Sequence, residues 1–434
     1  MKPPLGETTA SIAQLGPSVR PMVTGTPRLT SAQWVVLLAA FLGWLFDGFE
    51  IGLFPIVARP ALQDLLGGTG DGTVGLWMGR ITACFSLGAA LGGVAFGWLG
   101  DRIGRVRALS ASILAYSLFT GLSFFAATPW HLGIFRFFGS LGMGGEWSLG
   151  VALVMECWPE KWRPALAGMI GAAANVGFVL TGIVGWLYPI TPHSWRWMFL
   201  VGALPALLVF FIILAVPESE KWRRSVRLEL PHPLKEIFST RLRKHTAFGI
   251  VFASVALIGT WGSVQWLPLW ADQLAGKGNP GAKAITQMLM GAGAIAGCFL
   301  APWIAHCLGR RAAYSILCLA SIAVCWSMFH YVNAYGVFFL GSAFLVSTAT
   351  ASFYGWFPLY LPELFPTRVR ATGQGLCYNT GRVFAAGGAL VQGQLVSSFG
   401  GSYPSAGSVV TLIYLLGIAV IWLAPETKGR TLPE

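Results

Sequence analysis

The chain has 434 residues, 55% of them hydrophobic and only 11% charged, with a mean hydropathy of +0.65. A soluble protein of this length needs charge over its whole surface, so the composition excludes one and points to long segments buried in lipid. The formal net charge of +12 would suit nucleic acid, yet the basic residues sit in short stretches between apolar runs, which excludes that partner.

Residues 1–32 are polar and lack a short apolar core behind a basic start, so they predict a disordered cytoplasmic tail and not a cleavable signal. Crossing a bilayer takes about twenty mostly apolar helical residues, because backbone polar groups must be satisfied within the segment. Such runs occur at Trp34–Val57, Leu76–Leu99, Arg107–Ala126, Trp130–Glu156, Pro164–Leu187 and Trp195–Val216. The segment 218–244 carries the densest charge in the sequence, with Pro231 and Pro233, and predicts a cytoplasmic linker with short surface helices. Six further runs follow at His245–Ala271, Ala284–His306, Ala312–Phe329, Tyr335–Leu361, Ala371–Ser397 and Ser405–Ala424. The expected fold class is an all-α membrane protein of twelve transmembrane helices in two six-helix bundles, 33–217 and 245–424, followed by a cytoplasmic tail, 425–434. The runs are continuous rather than alternating, which argues against a β-barrel.

Of the 29 basic residues, Arg59, Arg80, Arg196, Lys277 and Lys283 fall near one set of loops, and Arg136 and Arg382 fall inside spans. All the others lie on the side of the chain termini. This positive-inside bias predicts an inner-membrane protein with both termini cytoplasmic. The seven cysteines have no metal-site spacing and form no disulfide framework, so no metal or cofactor is expected. Trp130, Trp195 and Trp197 at span ends are read as interfacial belt residues.

Three motifs recur a little over two hundred residues apart. Gly104-Arg105 matches Gly309-Arg310; Glu156, Pro159 and Arg163 match Glu363, Pro366 and Arg370; Pro217-Glu218-Ser219 matches Pro425-Glu426-Thr427. Three matches in order, all at helix ends on one side, indicate a tandem of two parallel halves.

The run from Gly97 to Arg107, GWLGDRIGRVR, resembles the loop signature between the second and third helices of the major facilitator superfamily. The two Pro-Glu-Ser/Thr motifs are similar to those of its sugar-porter-related branches. The resemblance covers the chain beyond the N-terminal tail. It implies a cytoplasmic latch in the outward-open state, built from Asp101, Arg102, Arg105, Glu156, Arg163, Glu363 and Arg370; the alternative is that these charges only anchor helix ends. His306 replaces the acid that would match Asp101, so a second-half latch is expected to be weaker or pH-dependent.

Ionisable residues at mid-membrane depth are costly and point to function. Asp47 and Glu50, three apart, share a helix face. Two carboxylates held close in a low dielectric do not both ionise easily, so this pair is read as proton-coupling, with a structural ion pair as the alternative. The surrounding WLFDGFE resembles the first-helix motif of proton-coupled organic-acid and sialate symporters, with Glu50 in place of the usual Asp. The run from Arg136 to Trp147 resembles the fourth-helix signature of the same branches, and Glu146 is a second proton-carrier candidate. Arg136 and Glu146 are ten residues apart, about 15 Å along a helix, so each must find its partner elsewhere. Arg136 lies near the outer end of its span, within reach of snorkelling.

Arg382, deep in the eleventh run, needs a carboxylate from the protein or from a substrate. It is read as the substrate-anion contact, with Asn379 adding an amide and Arg136 contributing; an internal pair with an acid such as Glu146 is the alternative. Trp261, Gln265 and Trp266 of the seventh run and Tyr354 and Trp356 of the tenth are expected to line the pocket, against a plain packing role. No phosphate loop or nucleophile motif is present, so an enzyme is not expected. The expectation is a monomeric secondary transporter for a small organic anion coupled to protons. A neutral-sugar carrier, an exporter of cationic compounds and a non-transporting sensor remain the alternatives.

Overall fold

In the computed structural model, residues 29–67, 71–188, 190–228, 232–262, 264–276, 281–400 and 402–434 are described. Most of the expected N-terminal tail, with Lys2, Arg20 and Arg28, lies outside them, as does Lys277.

The first half holds α1 (Ser31–Leu65), α2 (Asp71–Ile103), α3 (Arg105–Leu122), α4 (Pro129–Cys157), α5 (Arg163–Leu187) and a sixth span divided at Pro205 into α6 (Arg196–Gly202) and α7 (Ala206–Ala215). Two short helices, α8 (Glu220–Leu228) and α9 (Pro233–Ile237), occupy the charged segment. The second half holds α10 (Arg243–Gly262), α11 (Leu267–Ala275), α12 (Ala282–Leu308), α13 (Arg310–Tyr331), α14 (Val337–Ala351), α15 (Phe353–Leu364), α16 (Arg370–Ser398), α17 (Tyr403–Thr411) and α18 (Ile413–Ile421). The seventh span is α10 with α11, the tenth α14 with α15, and the twelfth α17 with α18.

Among the described residues, ten helical stretches are long and apolar enough to cross a bilayer. The other two spans, α4 and α16, are each 29 residues long but carry glycines and polar groups on buried faces. With these the fold is the twelve-helix, two-bundle architecture.

Close backbone approach explains where glycine is needed. A Cβ on Gly92 of α2 would strike the Leu141 carbonyl of α4, and one on Gly48 of α1 would strike the Ala174 carbonyl of α5. Small residues of this kind let helices pack in lipid, where hydrophobicity does not drive them together. The halves meet along α2 with α16 and α5 with α12.

The repeated motifs are one capping device used twice. Gly104 and Gly309 take positive φ, 113° and 99°, at the sharp turns into α3 and α13. Glu218 accepts the Arg105 and Val106 backbone N–H groups at 3.0 and 3.1 Å, and Glu426 accepts those of Arg310 and Arg311, both at 3.0 Å. A carboxylate at a helix N-terminus satisfies free donors and opposes the helix dipole. The two acids nevertheless differ. Burial dominates at Glu218 and holds its carboxyl above the ordinary glutamate value; at Glu426 burial is outweighed by four backbone donors, which hold it below.

Trp195 departs from the expected belt position. It is fully buried, donating to Asp64 at 3.0 Å, while Arg196 pairs with the same carboxylate at 2.6 Å and lies over the indole at 4.2 Å. An acid at the end of α1 draws both side chains inward.

Candidate functional site

At the end of the bundle where α2 turns into α3, an ion-pair network joins the halves. Arg105 donates to Asp101 at 2.6 Å, to Glu156 at 3.2 Å and to the Thr367 carbonyl at 2.6 Å. Glu156 also accepts from Arg370 at 2.8 Å. Asp101 accepts the Ala371 and Thr372 N–H groups at 3.2 and 2.8 Å and the Thr372 hydroxyl at 2.5 Å, capping α16 from across the interface. Asp101, Arg105, Glu156 and Arg370 are all buried, so each charge relies on the others for solvation.

The second half does not mirror this. Glu363 takes both its arginine bonds from Arg310, at 2.7 and 3.0 Å, and a third from the Thr427 hydroxyl at 2.6 Å, all within its own half. Arg163 pairs with Glu160 at 2.8 Å, not with Glu363. Arg102 is exposed and lies over the Trp98 ring at 4.7 Å, away from the network. His306 is exposed where Asp101 has its counterpart. At this end the cross-half bonds thus join Asp101, Arg105 and Glu156 of the first half to Thr367, Arg370, Ala371 and Thr372 of the second.

Mid-way along the first half lies a layer of acids. Glu50 forms an ion pair with Arg136 and accepts the Thr120 hydroxyl at 3.0 Å. Arg136 lies over the Phe54 and Phe85 rings at 5.0 and 4.5 Å and is buried, so it pairs within the bundle and does not snorkel. Asp47 and Glu146 are buried as well, and among the described residues no carboxylate oxygen of either has a hydrogen-bond partner. Glu146 rests against Gly43, one turn before Asp47, where a Cβ would meet its Oε1. The charges acting on Asp47 are Arg382 and Glu50; the charge acting on Glu146 is Asp47.

Between the halves is a cavity of about 450 Å³, within the range of small-molecule sites. It reaches Lys283 at the start of α12, the end remote from the ion-pair network. Among the described residues that line it, the charged side chains are Arg382 and Lys283, both cationic. Arg382 lies over the Tyr378 ring at 5.2 Å and approaches Asn379 Oδ1 at 3.5 Å. Trp261, Gln265 and Tyr354 line the cavity, and Trp261 donates to the Tyr354 hydroxyl at 3.2 Å.

Four expected pocket residues lie elsewhere. Trp356 is fully buried, stacked on Tyr360 at 4.5 Å and donating to the Arg310 carbonyl. Trp266 leans on Tyr403 at 6.0 Å. Arg136 belongs to the acid layer. Asn379 is buried with its amide donating to Gly144 of α4 at 3.1 Å and Gly375 at 2.9 Å, so it has no donor left for a ligand.

The sequence profile described as Major Facilitator Superfamily matches residues 36–389. The chain belongs to that superfamily. It is 31% identical over 83% of its length to the cis,cis-muconate transport protein of Acinetobacter baylyi, covering 87% of that protein. It is 26% identical over 80% of its length to a sialic acid transporter of Escherichia coli, covering 83%. In structure it resembles the proton:xylose symporter XylE, with a TM-score of 0.78 at 18% identity over 93% of this chain and 98% of that one. At that identity the likeness to XylE shows the fold alone.

As a major facilitator protein the chain is a multi-pass membrane transporter and not an enzyme. Sequence reasoning missed several residues of its cavity. Asn175 lies mid-way along α5, where a lone amide in an apolar run was the available signal. Tyr378 precedes Arg382 by four positions, the spacing that places two side chains on one helix face. Lys283 sits at a run boundary, near the loops remote from the chain termini; the helix begins one residue earlier, and Lys283 lines the cavity.

Proposed function

We propose that this transporter takes up small organic anions bearing a carboxylate, coupled to protons, by alternating access in the cell inner membrane, as a monomer with both termini cytoplasmic. The observation that carries the reading is the separation of charge: cations line the cavity, while the unpartnered acids Asp47 and Glu146 lie behind it. An anion entering the cavity meets Arg382, a fixed guanidinium suited to a carboxylate. Asp47 acts electrostatically on the same arginine. Ionised, Asp47 competes with the substrate for Arg382; protonated, it leaves the arginine's charge to the substrate, so proton and anion bind together. Glu146, next to Asp47, is the group to which the proton passes. Glu50, committed to Arg136 and Thr120, holds the bundle together and is the least suited of the three acids to carry a proton.

The names of the relatives support the substrate class, since muconate and sialic acid are both carboxylates. The halves, 33–217 and 245–424, would rock about the linker 218–244, with the network around Glu156 as the latch closing the cytoplasmic side while the cavity faces outward.

The test is uptake into proteoliposomes of a panel including cis,cis-muconate, sialic acid and simple aromatic acids, with and without an inward proton gradient. Accumulation that needs the gradient and stops when a protonophore collapses it is the expected result. Accumulation of neutral sugars only, or acid uptake indifferent to the gradient, would sink the reading.

A further inference from the structure

The segment following α18 does not hang free at the network end. Glu426 caps α13, the Arg430 N–H bonds to the Thr427 carbonyl at 3.1 Å, and Gly429 takes φ 76° to make that turn. Leu432 is then buried, and the Pro433 carbonyl accepts from Arg370 Nη2 at 2.7 Å, from the Thr367 N–H at 3.2 Å and from the Thr367 hydroxyl at 3.3 Å. Arg370 is the residue that reaches Glu156 across the halves. The chain end therefore reinforces the cross-half contact.

Beneath this segment lies a second cavity of about 190 Å³, room for roughly six waters. Its walls bring together Arg430 from the segment, Arg241 from the turn before α10 and His245 from the first turn of α10. Neither guanidinium has a carboxylate within ion-pair distance among the described residues, and His245 Nδ1 is buried without a partner. The one acid in the wall, Glu363, has its oxygens taken by Arg310 and Thr427. Two free arginines and an unsatisfied imidazole nitrogen from separate elements make a pocket whose electrostatic complement is an anion with several oxygens.

We propose that this pocket binds a phosphate-like oxyanion, which ties Arg430 to Arg241 and His245 and thereby fastens the C-terminal segment onto Arg370, keeping the network end closed. The oxyanion is either free phosphate or the headgroup phosphate of an anionic lipid, since the pocket lies beside the start of α10, where a spanning helix begins. The site lies apart from the central cavity and shares no lining residue with it.

The experiment uses the full chain. Thermal unfolding in detergent is followed with sodium phosphate against sodium chloride at equal ionic strength and pH. The parallel arm uses nanodiscs of phosphatidylcholine alone or with phosphatidylglycerol. Binding to the folded state should raise Tm by about 2 °C. The rise should vanish in the R241Q/R430Q double variant and persist in part in R430K, which keeps the charge. Phosphate also stabilises proteins non-specifically, so the comparison with the double variant decides. A response to phosphate only identifies the soluble ion, and a response to phosphatidylglycerol only identifies the headgroup. No response in either arm, or equal responses in wild type and double variant, overturns the proposal.

Discussion

The indole of Trp147 on α4 stacks on the ring of Tyr378 on α16, with centroids 4.4 Å apart and planes 20° apart. Tyr378 also carries Arg382 over its ring and lines the central cavity. One ring thus belongs both to the contact between the halves and to the site of the cavity's guanidinium. An aromatic pair contributes about 0.5–1.5 kcal/mol beyond burial, so Tyr378→Ala should open the network end roughly three- to tenfold more often. A reporter cysteine introduced at the buried Ala371 would be labelled correspondingly faster from that side. Tyr378→Phe keeps the stack and should label at the wild-type rate. Equal labelling of all three proteins would remove the stack from the gate.

Arg382 offers a planar fork that a lysine does not reproduce. Arg382→Lys keeps the charge and should raise KM for an acid substrate about tenfold with Vmax little changed. Arg382→Ala should abolish saturable uptake while leaving the folded protein intact, since the side chain is half-buried and makes one long hydrogen bond. Unchanged kinetics in the lysine variant would mean that the substrate carboxylate binds elsewhere.

How much of this was legible in the sequence depended on whether a residue's role is local. The glycines before Arg105 and Arg310 act within one turn; the capping glutamates bond 113 and 116 positions away, and it was their recurrence in the same order that exposed both halves. The acid layer was legible in part: cost in lipid singled out Asp47, Glu50, Glu146 and Arg136, but not that Arg136 would pair with Glu50, 86 positions away. Asn379 misled for the same reason. An amide one turn from Arg382 looks like a ligand donor, yet its direction is fixed by the Gly144 carbonyl on another helix. Direction in a bundle is set by helix packing, which periodicity does not encode.

The two capping acids should titrate with opposite consequences. Glu426 is held below the ordinary glutamate value by backbone donors, so its stabilisation is present above the unfolded value and is lost as pH falls through the folded one. Glu218 is held above it by burial, so stability falls as pH rises from the unfolded value through the raised one. As pH rises toward the ordinary glutamate value of about 4.5, the Tm advantage of wild type over Glu426→Gln should therefore grow. The advantage over Glu218→Gln should shrink as pH rises beyond that value. Parallel trends would show that the caps are electrostatically equivalent, against the burial difference between them.

Among the described residues, Asp47 and Glu146 are the buried acids with no hydrogen-bond partner on either oxygen, and the charge of Asp47 acts on Glu146. Neutralising either should spare substrate exchange, which needs no net proton movement, while reducing gradient-driven accumulation by about tenfold or more. The two variants should differ in a second respect. Asp47→Asn removes the acid that competes for Arg382, so its counterflow should saturate at lower substrate concentration and lose its dependence on external pH. The charge acting on Glu146 is that of Asp47 and not of Arg382, so Glu146→Gln should keep the pH dependence of substrate binding and lose only accumulation. Glu50→Gln breaks the pair with Arg136 and strands a buried guanidinium, a loss of roughly 3–5 kcal/mol. It should therefore lower Tm where the other two do not. Counterflow measured at several pH values, with Tm recorded for each protein, separates the three acids. Identical profiles for Asp47→Asn and Glu146→Gln would mean that Arg382 does not sense the proton on Asp47, and the coupling step would have to lie elsewhere in the bundle.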